Sequence, residues 1–295
     1  MFDETQGSTV PRRQLGRLLT QLREDAAVTL EAMAQTLDCS RQKLWRIEKG
    51  LVPVRQVDAR VMCDRYRASP ETTGIVLGLA KESKAKGWWH SYGDAVPSWF
   101  SLYVGLESTA SELRHYNSEL IPGLLQTREY TTEMIRRKSP GLPEADREKL
   151  VAVRLHRQDI LVRRLPAAPL LKFVLSEAVL RRPIPSRLEM ADQLRHLIAV
   201  AALPNVSIRI LPFSAGPPLA ADSGTFVILD FPPAFGRRVT EPTTVYIENI
   251  TGALYLDKQA EVAAYAHVWS DLEARALDER ESIELITAIL GECYG

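Results

Sequence analysis

The sequence contains few cysteines, and they form no recognisable pair. Only Cys39, Cys63 and Cys293 occur in 295 residues, and no Cys-x-x-Cys motif is present. An odd number of scattered cysteines argues against a disulfide framework and against a structural zinc site. Reduced thiols are typical of a cytoplasmic protein, and the cytoplasm is the location that we predict.

Long apolar runs and an excess of one charge are missing as well. No stretch has the length and apolarity of a membrane-spanning helix, and no apolar signal segment opens the chain. The 37 Lys and Arg residues balance the 37 Asp and Glu residues, which argues against a protein that coats nucleic acid with its whole surface. We therefore expect a soluble chain with no membrane partner, and we expect the polar residues 1–10 to be a disordered tail.

The motifs of common enzymes are also absent. The sequence has no phosphate-binding glycine loop, no dinucleotide fingerprint and no Gly-x-Ser-x-Gly element, and its five histidines are dispersed. Glu177 with Arg181 is better interpreted as an ion pair than as part of a site, and Asp222 as part of a turn before a strand. We predict no catalytic residue, no metal ligand and no cofactor, and hence no enzyme.

Charge is distributed unevenly along this neutral chain. Between Pro11 and Arg67, twelve Lys and Arg residues face seven Asp and Glu residues, which gives a local charge of +5. A basic module attached to a neutral or acidic remainder is typical of a protein that contacts nucleic acid locally.

Residues 29–50 of this basic segment have the pattern of two short helices joined by a tight turn. Thr29 is a suitable N-cap, and it precedes one apolar stripe at helical spacing. Asp38 and Cys39 interrupt that stripe as the turn, Ser40 is a second N-cap, and Gly50 is a suitable C-terminal stop. Two capped helices with this turn length predict a helix-turn-helix, which places its second helix in the major groove of DNA.

The second helix carries groove-sized polar side chains on the face opposite Leu44 and Ile47. Arg and Gln are the residues that donate to base edges, whereas a cation at a helix end is better placed for phosphate. We predict base contacts from Arg41, Gln42, Lys43 and Trp45, and phosphate contacts from Thr29, Arg46 and Lys49. Ser40, at the start of the helix, belongs to the same predicted DNA-binding set. Trp45 can contact a thymine methyl group, pack on the sugar backbone or anchor a protein partner. A plain solvated face is the competing interpretation of the basic helix.

The flanking segments complete a small helical domain. A leucine stripe precedes residue 25, and apolar positions recur in segments 56–66 and 71–81. The pattern therefore predicts an all-α, five-helix helix-turn-helix domain over residues 11–80.

Residues 14–50 resemble the phage-repressor-type, Xre-like helix-turn-helix family. The resemblance is carried by Leu-Gly-x-x-Leu, Thr-Leu-Glu-x-Met-Ala and the ending Ile47-Glu-Lys-Gly50. It implies that Thr29 touches the phosphate backbone and that the base-contacting residues named above face the groove. The chain departs from the family at Leu30, where such proteins often have Gln.

A charged, glycine-ended segment, residues 81–87, is the predicted linker to a second domain over residues 88–295. An aromatic cluster follows it directly, comprising Trp88, Trp89, Tyr92, Trp99, Phe100 and Tyr103. Such a cluster can line a small-molecule pocket, pack a linker helix or form a dimer seam, and packing or an interface is the more common use.

The rest of the chain alternates between helical and strand patterns. A long amphipathic helix is predicted over residues 143–164, with its arginines on a solvated or salt-bridged face. Five strands are predicted at 170–175, 206–211, 225–230, 243–248 and 253–256, with a helix at 188–203 and helical structure over 258–290. This order predicts a multidomain protein whose second domain is α+β with a mixed sheet.

The second domain resembles the large C-terminal domain of actinobacterial WhiJ-like, antitoxin-like regulators. The resemblance is carried by Pro122-Gly-Leu-Leu-Gln-Thr-x-x-Tyr130, Arg154-x-x-Arg157-Gln158, Glu177-Ala-x-Leu-Arg181 and Tyr246-x-Glu248. It implies a transcriptional regulator that is often paired with a small partner protein, and it brings no catalytic residues.

The functional prediction is a sequence-specific regulator that binds double-stranded DNA. One helix covers only a few base pairs, so we expect a homodimer on an inverted repeat, controlled by a small partner protein or a small-molecule effector. An antitoxin-like module that sequesters a partner, with DNA binding secondary, is the first alternative. An unrecognised enzyme fused to a DNA anchor is the second.

Overall fold

The computed structural model describes residues 10–83, 98–184, 186–232 and 241–294. Its contacts divide the chain into two compact units. The first is drawn from Met1–Thr109 with Phe231–Pro242, and the second from Ala110–Asp230 with Thr243–Gly295. Residues 1–9 of the predicted tail and 84–87 of the predicted linker lie outside the described residues.

The first unit is helical in every described element. Its helices are α1 Val10–Asp25, α2 Leu30–Thr36, α3 Arg41–Glu48, α4 Gln56–Arg65, α5 Pro70–Glu82 and α6 Ser98–Thr109. The first five share one core, in which Leu19, Met33, Leu44 and Met62 are completely buried. The predicted five-helix domain is therefore confirmed, although Val10 already belongs to α1 rather than to the tail.

Four successive helices of this unit end in the same way. The residue after each C-cap has a positive φ: Ala27 at 52°, Asp38 at 48°, Gly50 at 68° and Arg67 at 56°. The next amide then donates to a carbonyl five residues earlier, as Leu51 N does to Arg46 O at 2.9 Å. This is the Schellman ending, and it reverses the chain within two or three residues. Repeated use of one tight ending lets short helices share a small core.

The second unit is α+β. Its strands are β1 Glu112–Asn117, β2 Leu170–Ser176, β3 Val206–Leu211, β4 Phe226–Asp230, β5 Thr244–Asn249 and β6 Gly252–Leu256. Its helices are α7 Arg128–Lys138, α8 Glu144–Arg157, α9 Glu177–Arg181, α10 Arg187–Ala201, α11 Gln259–Arg275 and α12 Glu279–Tyr294. The predicted α+β class is confirmed.

The six strands form one mixed sheet in the order β3-β2-β1-β4-β5-β6. Strands β1, β2 and β3 pair in parallel, whereas β4, β5 and β6 continue the sheet antiparallel. One face packs against α11 through Tyr116, Phe226 and Trp269. Parallel neighbours require crossover helices, which α7 to α10 supply.

Two local features differ from the sequence prediction. Strand β1 was not predicted, although it pairs with both halves of the sheet. The helix predicted over residues 143–164 ends at Arg157 and continues as a single 3₁₀ turn over Gln158–Leu161. In addition, contacts group α6 with the first unit, whereas the sequence analysis begins the second domain at residue 88.

Candidate nucleic-acid interface

Helices α2 and α3 are each opened by a side-chain cap. The hydroxyl of Thr29 accepts a hydrogen bond from Ala32 N at 3.1 Å, and that of Ser40 accepts from Lys43 N at 3.1 Å. Both predicted N-caps are thus confirmed. Because both helix starts and the intervening turn are set by local hydrogen bonds, the direction of α3 relative to α2 follows from this short segment.

Helix α3 presents two different faces. Leu44 and Ile47 are buried in the shared core, as the apolar spacing predicts. The opposite arc carries exposed Arg41, Gln42 and Lys43. Trp45 is half-buried beside this arc, so part of its ring remains accessible.

The cations of this arc have no protein partner among the described residues. The side chains of Arg41, Lys43, Arg46 and Lys49 are exposed, and none has a hydrogen bond or an ion pair there. Thr29 and Ser40 are also exposed. An unpaired, exposed basic arc on a capped helix provides donors for bases and positive charge for phosphates.

A buried ion pair holds the C-terminal end of α3. Glu48 is buried, and its carboxylate accepts two hydrogen bonds from Arg23 on α1, Nε to Oε1 at 2.7 Å and Nη2 to Oε2 at 2.9 Å. This two-point contact fixes orientation as well as distance. The hydrogen bond to the Glu48 carboxylate, together with its negative charge, raises the pKa of Arg23. The pair therefore fixes the orientation of α3 relative to α1.

Two glycines allow α1 to approach the end of α3 without intervening side chains. A Cβ at Gly16 would lie 2.4 Å from the Glu48 carbonyl oxygen. A Cβ at Gly50 would lie 2.8 Å from the Cα of Arg13 and 2.9 Å from the carbonyl oxygen of Arg12. All three distances are shorter than van der Waals contact, so the backbone of α1 packs directly against the backbone at the end of α3.

The arginines of α1 are committed to protein contacts. Arg12 Nε donates to the Ser83 carbonyl at 3.0 Å, while Arg13 and Arg17 form ion pairs with Glu241. Sequence reasoning did not find Glu241. It lies 224 residues from Arg17 in the sequence, and no local pattern distinguishes it from any other glutamate of the chain.

The predicted aromatic cluster is described only in part. Trp88, Trp89 and Tyr92, and the side chain of Trp99, lie outside the described residues. Tyr103 is buried on α6, and its ring stacks on Phe100 with centroids 5.5 Å apart. For Tyr103, the packing interpretation is therefore the one that the structure supports.

Several motif residues of the second domain meet around the turn at residues 121–127. Gln126 accepts from Arg154 at 3.0 Å and donates to the Ile121 carbonyl at 2.6 Å, and Gln158 donates to the Gln126 carbonyl at 2.7 Å. Gln193 donates to the carbonyl of Leu125 at 2.7 Å. Three glutamines thus hold this turn against helices α8 and α10.

A solvated or salt-bridged face was the prediction for the arginines of this segment, and the solvated alternative does not hold for Arg154 and Arg157. Arg157 is buried and Arg154 is half-buried, because α8 packs that side against the turn. Burial, assisted by the nearby charge of Arg157, lowers the pKa of Arg154 to about 10. By contrast, Glu177 and Arg181 form the expected ion pair at 2.6 Å, and Asp222 ends the turn before β4.

No group of His, Cys, Asp and Glu in the described part of the chain has the arrangement of a metal site. None of the helices that the structure describes combines the length and apolarity needed to cross a bilayer.

Comparison with protein-family models agrees with this architecture. A helix-turn-helix domain model matches residues 14–73, which hold the capped helix pair. A helix-turn-helix domain is a DNA-binding element, and DNA is therefore a partner of the first unit. No curated protein and no solved structure matches the chain. A second model, described as a domain of unknown function (DUF5753), matches residues 100–288, which is more than half of the sequence, and the chain therefore belongs to the DUF5753 family.

Proposed function

We propose that this protein is a sequence-specific transcriptional regulator that reads DNA with helix α3. The observation that supports this most directly is the arc of exposed, unpaired cations on a helix whose inner face and both ends are fixed. Arg41, Gln42, Lys43 and Trp45 read bases in this proposal, and Thr29, Arg46 and Lys49 hold phosphates. It assigns no catalytic activity to the chain.

The regulator acts as a homodimer on an inverted repeat. A single recognition helix reaches only a few base pairs, which is too few for useful selectivity in a genome. Two copies related by a twofold axis double the site, and they fix its half-site spacing at about one helical turn. The protein is cytoplasmic and associates with the nucleoid when it is bound to DNA.

The second domain carries the control function. A small partner protein or a small-molecule effector binds there and shifts the population between DNA-binding and non-binding forms. The resemblance to WhiJ-like, antitoxin-like regulators supports this division of labour.

Exposed apolar side chains in the second domain favour one alternative, a module whose main task is to sequester a small partner. Val162, Leu165 and Ile250 are 64%, 93% and 98% exposed. Exposed apolar surface often marks a protein-binding region. In that case, DNA binding is secondary to the protein complex.

Genome-wide mapping of bound DNA in the native cells tests the proposal. The wild-type protein is compared with an Arg41→Ala/Gln42→Ala variant and with Arg195→Ala, an exposed arginine of the second unit, as the control. We expect a small set of sharp sites that share an inverted repeat, lost in the first variant and retained in the control. Equal enrichment in all three proteins would contradict the assignment of α3 and favour the partner-binding alternative.

A further inference from the structure

Glu241 belongs to the first unit although it lies between strands β4 and β5 in the sequence. Its side chain is completely buried and pairs with Arg17 and with Arg13, whose Nε lies 3.6 Å from Oε1. It lies outside the helix-turn-helix match and inside the DUF5753 match. A residue of the C-terminal family region therefore completes the helical bundle.

Glu241 lies in the sequence between Asp230, where the chain leaves the sheet, and Thr243, directly before the chain returns to it. Thr243 Oγ1 donates to Asp230 Oδ1 at 2.6 Å, and Asp230 pairs with Arg114 at 2.5 Å. Thr243 and Asp230 both belong to the second unit. Only Pro242 separates Thr243 from Glu241, so the boundary between the two units follows Glu241 by one residue.

The two arginines that Glu241 binds are four residues apart on α1. Like charges at this spacing repel across one helical turn and destabilise the helix. A buried carboxylate between them neutralises that repulsion and keeps the first turns of α1 helical. These same turns contain the backbone atoms of Arg12 and Arg13 that touch Gly50 at the end of α3.

We propose that Glu241 is a positioning residue for DNA recognition. It fixes the start of α1, and α1 fixes the end of the reading helix through direct backbone contact. This inference rests on the proposed function, because it assumes that α3 reads DNA. It adds that the bundle needs a carboxylate from the segment between β4 and β5 to hold α3 in its reading position.

A purely electrostatic effect would have the opposite sign. Removing a carboxylate makes the first unit more positive and releases two arginines, and both changes strengthen attraction to phosphate. Loss of positioning instead weakens binding to the specific sequence while leaving the cations available to any DNA. The ratio of specific to non-specific affinity therefore separates the two explanations.

The test uses the full chain, with Glu241→Gln compared with the wild type and with Glu71→Gln. Glu71 is exposed at the start of α5, so its substitution removes the same charge without a buried pair. Affinity is titrated at several NaCl concentrations for a duplex obtained by binding-site selection and for a scrambled duplex of equal length. We expect Glu241→Gln to bind the selected duplex at least tenfold more weakly, with unchanged affinity for the scrambled duplex and an unchanged salt slope. Glu71→Gln should resemble the wild type. Equal or tighter specific binding by Glu241→Gln would overturn the inference.

Hydrogen exchange provides a readout that does not depend on DNA. In Glu241→Gln, the amides of α1 and α3 should exchange faster than in Glu71→Gln, while those of the central sheet strands remain protected. Glu241→Asp, which retains the charge, should recover most of that protection. If Glu241→Gln does not fold, the DNA affinity of Glu241→Asp is measured in its place. Unchanged exchange in α3 would overturn the positioning role. If selection yields no preferred duplex while exchange changes as expected, the proposed function fails and the positioning of α3 by Glu241 stands.

Discussion

Helices α1 and α3 carry similar numbers of basic residues but use them differently. The arginines of α1 contact Ser83, Glu241 and Glu48. The cations of α3 point outward and have no protein partner among the described residues. A count of charges along the sequence does not distinguish these helices, although only one of them has charge to offer a ligand.

The difference shows that the partner of a side chain decides its role. An arginine bound to a buried carboxylate contributes to orientation and stability, whereas the same residue in water is free to bind phosphate or a base edge. Substitutions in the buried ion pairs should therefore change stability, and substitutions of the exposed residues of α3 should change binding.

The largest effect is expected from Glu48→Gln. It leaves the half-buried Arg23 without its buried charged partner, which should destabilise the first unit by about 3 kcal/mol. Thermal unfolding followed by circular dichroism measures the loss. Glu24→Gln is the matched control, because Glu24 is the exposed partner of the same arginine at 3.7 Å and should change stability very little. Similar losses in both variants would contradict the distinction between buried and exposed pairs.

The second unit extends the comparison to a buried group that lacks one hydrogen-bond partner. Nε2 of His115 has no hydrogen-bond partner in the described part of the chain. Burial, followed by the charge of Arg157, lowers the pKa of His115 to about 3. Because an unfolded histidine has a pKa of about 6.5, the unfolded state binds a proton that the folded state rejects. The contribution of neutral His115 to the free energy of unfolding is therefore complete above pH 6.5, and it is lost as the pH falls from about 6.5 to 3.

At pH 4 this linkage should cost about 3 kcal/mol relative to pH 7. In His115→Asn, the difference in unfolding free energy between the two pH values should be smaller by that amount. Urea unfolding at both pH values measures it, with the exposed His267→Asn as the control. A pH dependence identical to that of the wild type would argue against a buried neutral imidazole.

Substitutions on α3 should have the opposite profile to those on α1. Arg41→Ala and Gln42→Ala should each weaken binding to the selected duplex by about 2 kcal/mol with no change in unfolding temperature. Arg46→Ala and Lys49→Ala should weaken binding to all duplexes and reduce the salt slope by about one. Fluorescence anisotropy at several salt concentrations separates the two classes. A fall in unfolding temperature for the α3 variants would weaken the comparison.

The smallest effect concerns the helix endings. Ala27 has a φ of 52°, a conformation in which a Cβ is strained, and its side chain is exposed. Ala27→Gly should therefore stabilise the first unit by about 0.5–1 kcal/mol. Ala32→Gly, within α2, should destabilise it by a similar amount because glycine there loses more chain entropy. Chemical denaturation of both variants checks the sign.

Local chemistry explains which parts of the fold could be predicted. The α2–α3 pair was predictable because Thr29, Ser40 and Gly50 fix helix ends through contacts within a few residues. Five of the six strands were predictable from β-branched, alternating sequence. Strand β1 was not, because Arg114, His115 and Asn117 make it polar, and His115 is buried by stacking on Phe173 at 4.8 Å.

Only those features of the site that depend on neighbouring residues in the sequence were predictable. The exposed arc of α3 follows from the burial of Leu44 and Ile47 on the other face. The partners of α1 do not follow, because Glu241 is brought to Arg13 and Arg17 by the course of the whole chain. The burial of Arg157 also depends on a turn more than 30 residues away.

The position of Glu241 in the sequence has a consequence for synthesis. The ribosome completes α5 long before it reaches Glu241, about 160 residues later. At bacterial and eukaryotic elongation rates this interval is roughly 8 to 30 s. During that time Arg13 and Arg17 are present without Glu241, and the nascent bundle has every helix of its reading element but not its last ion pair. The ion pairs of Arg13 and Arg17 with Glu241 can therefore form only when most of the second domain has been translated.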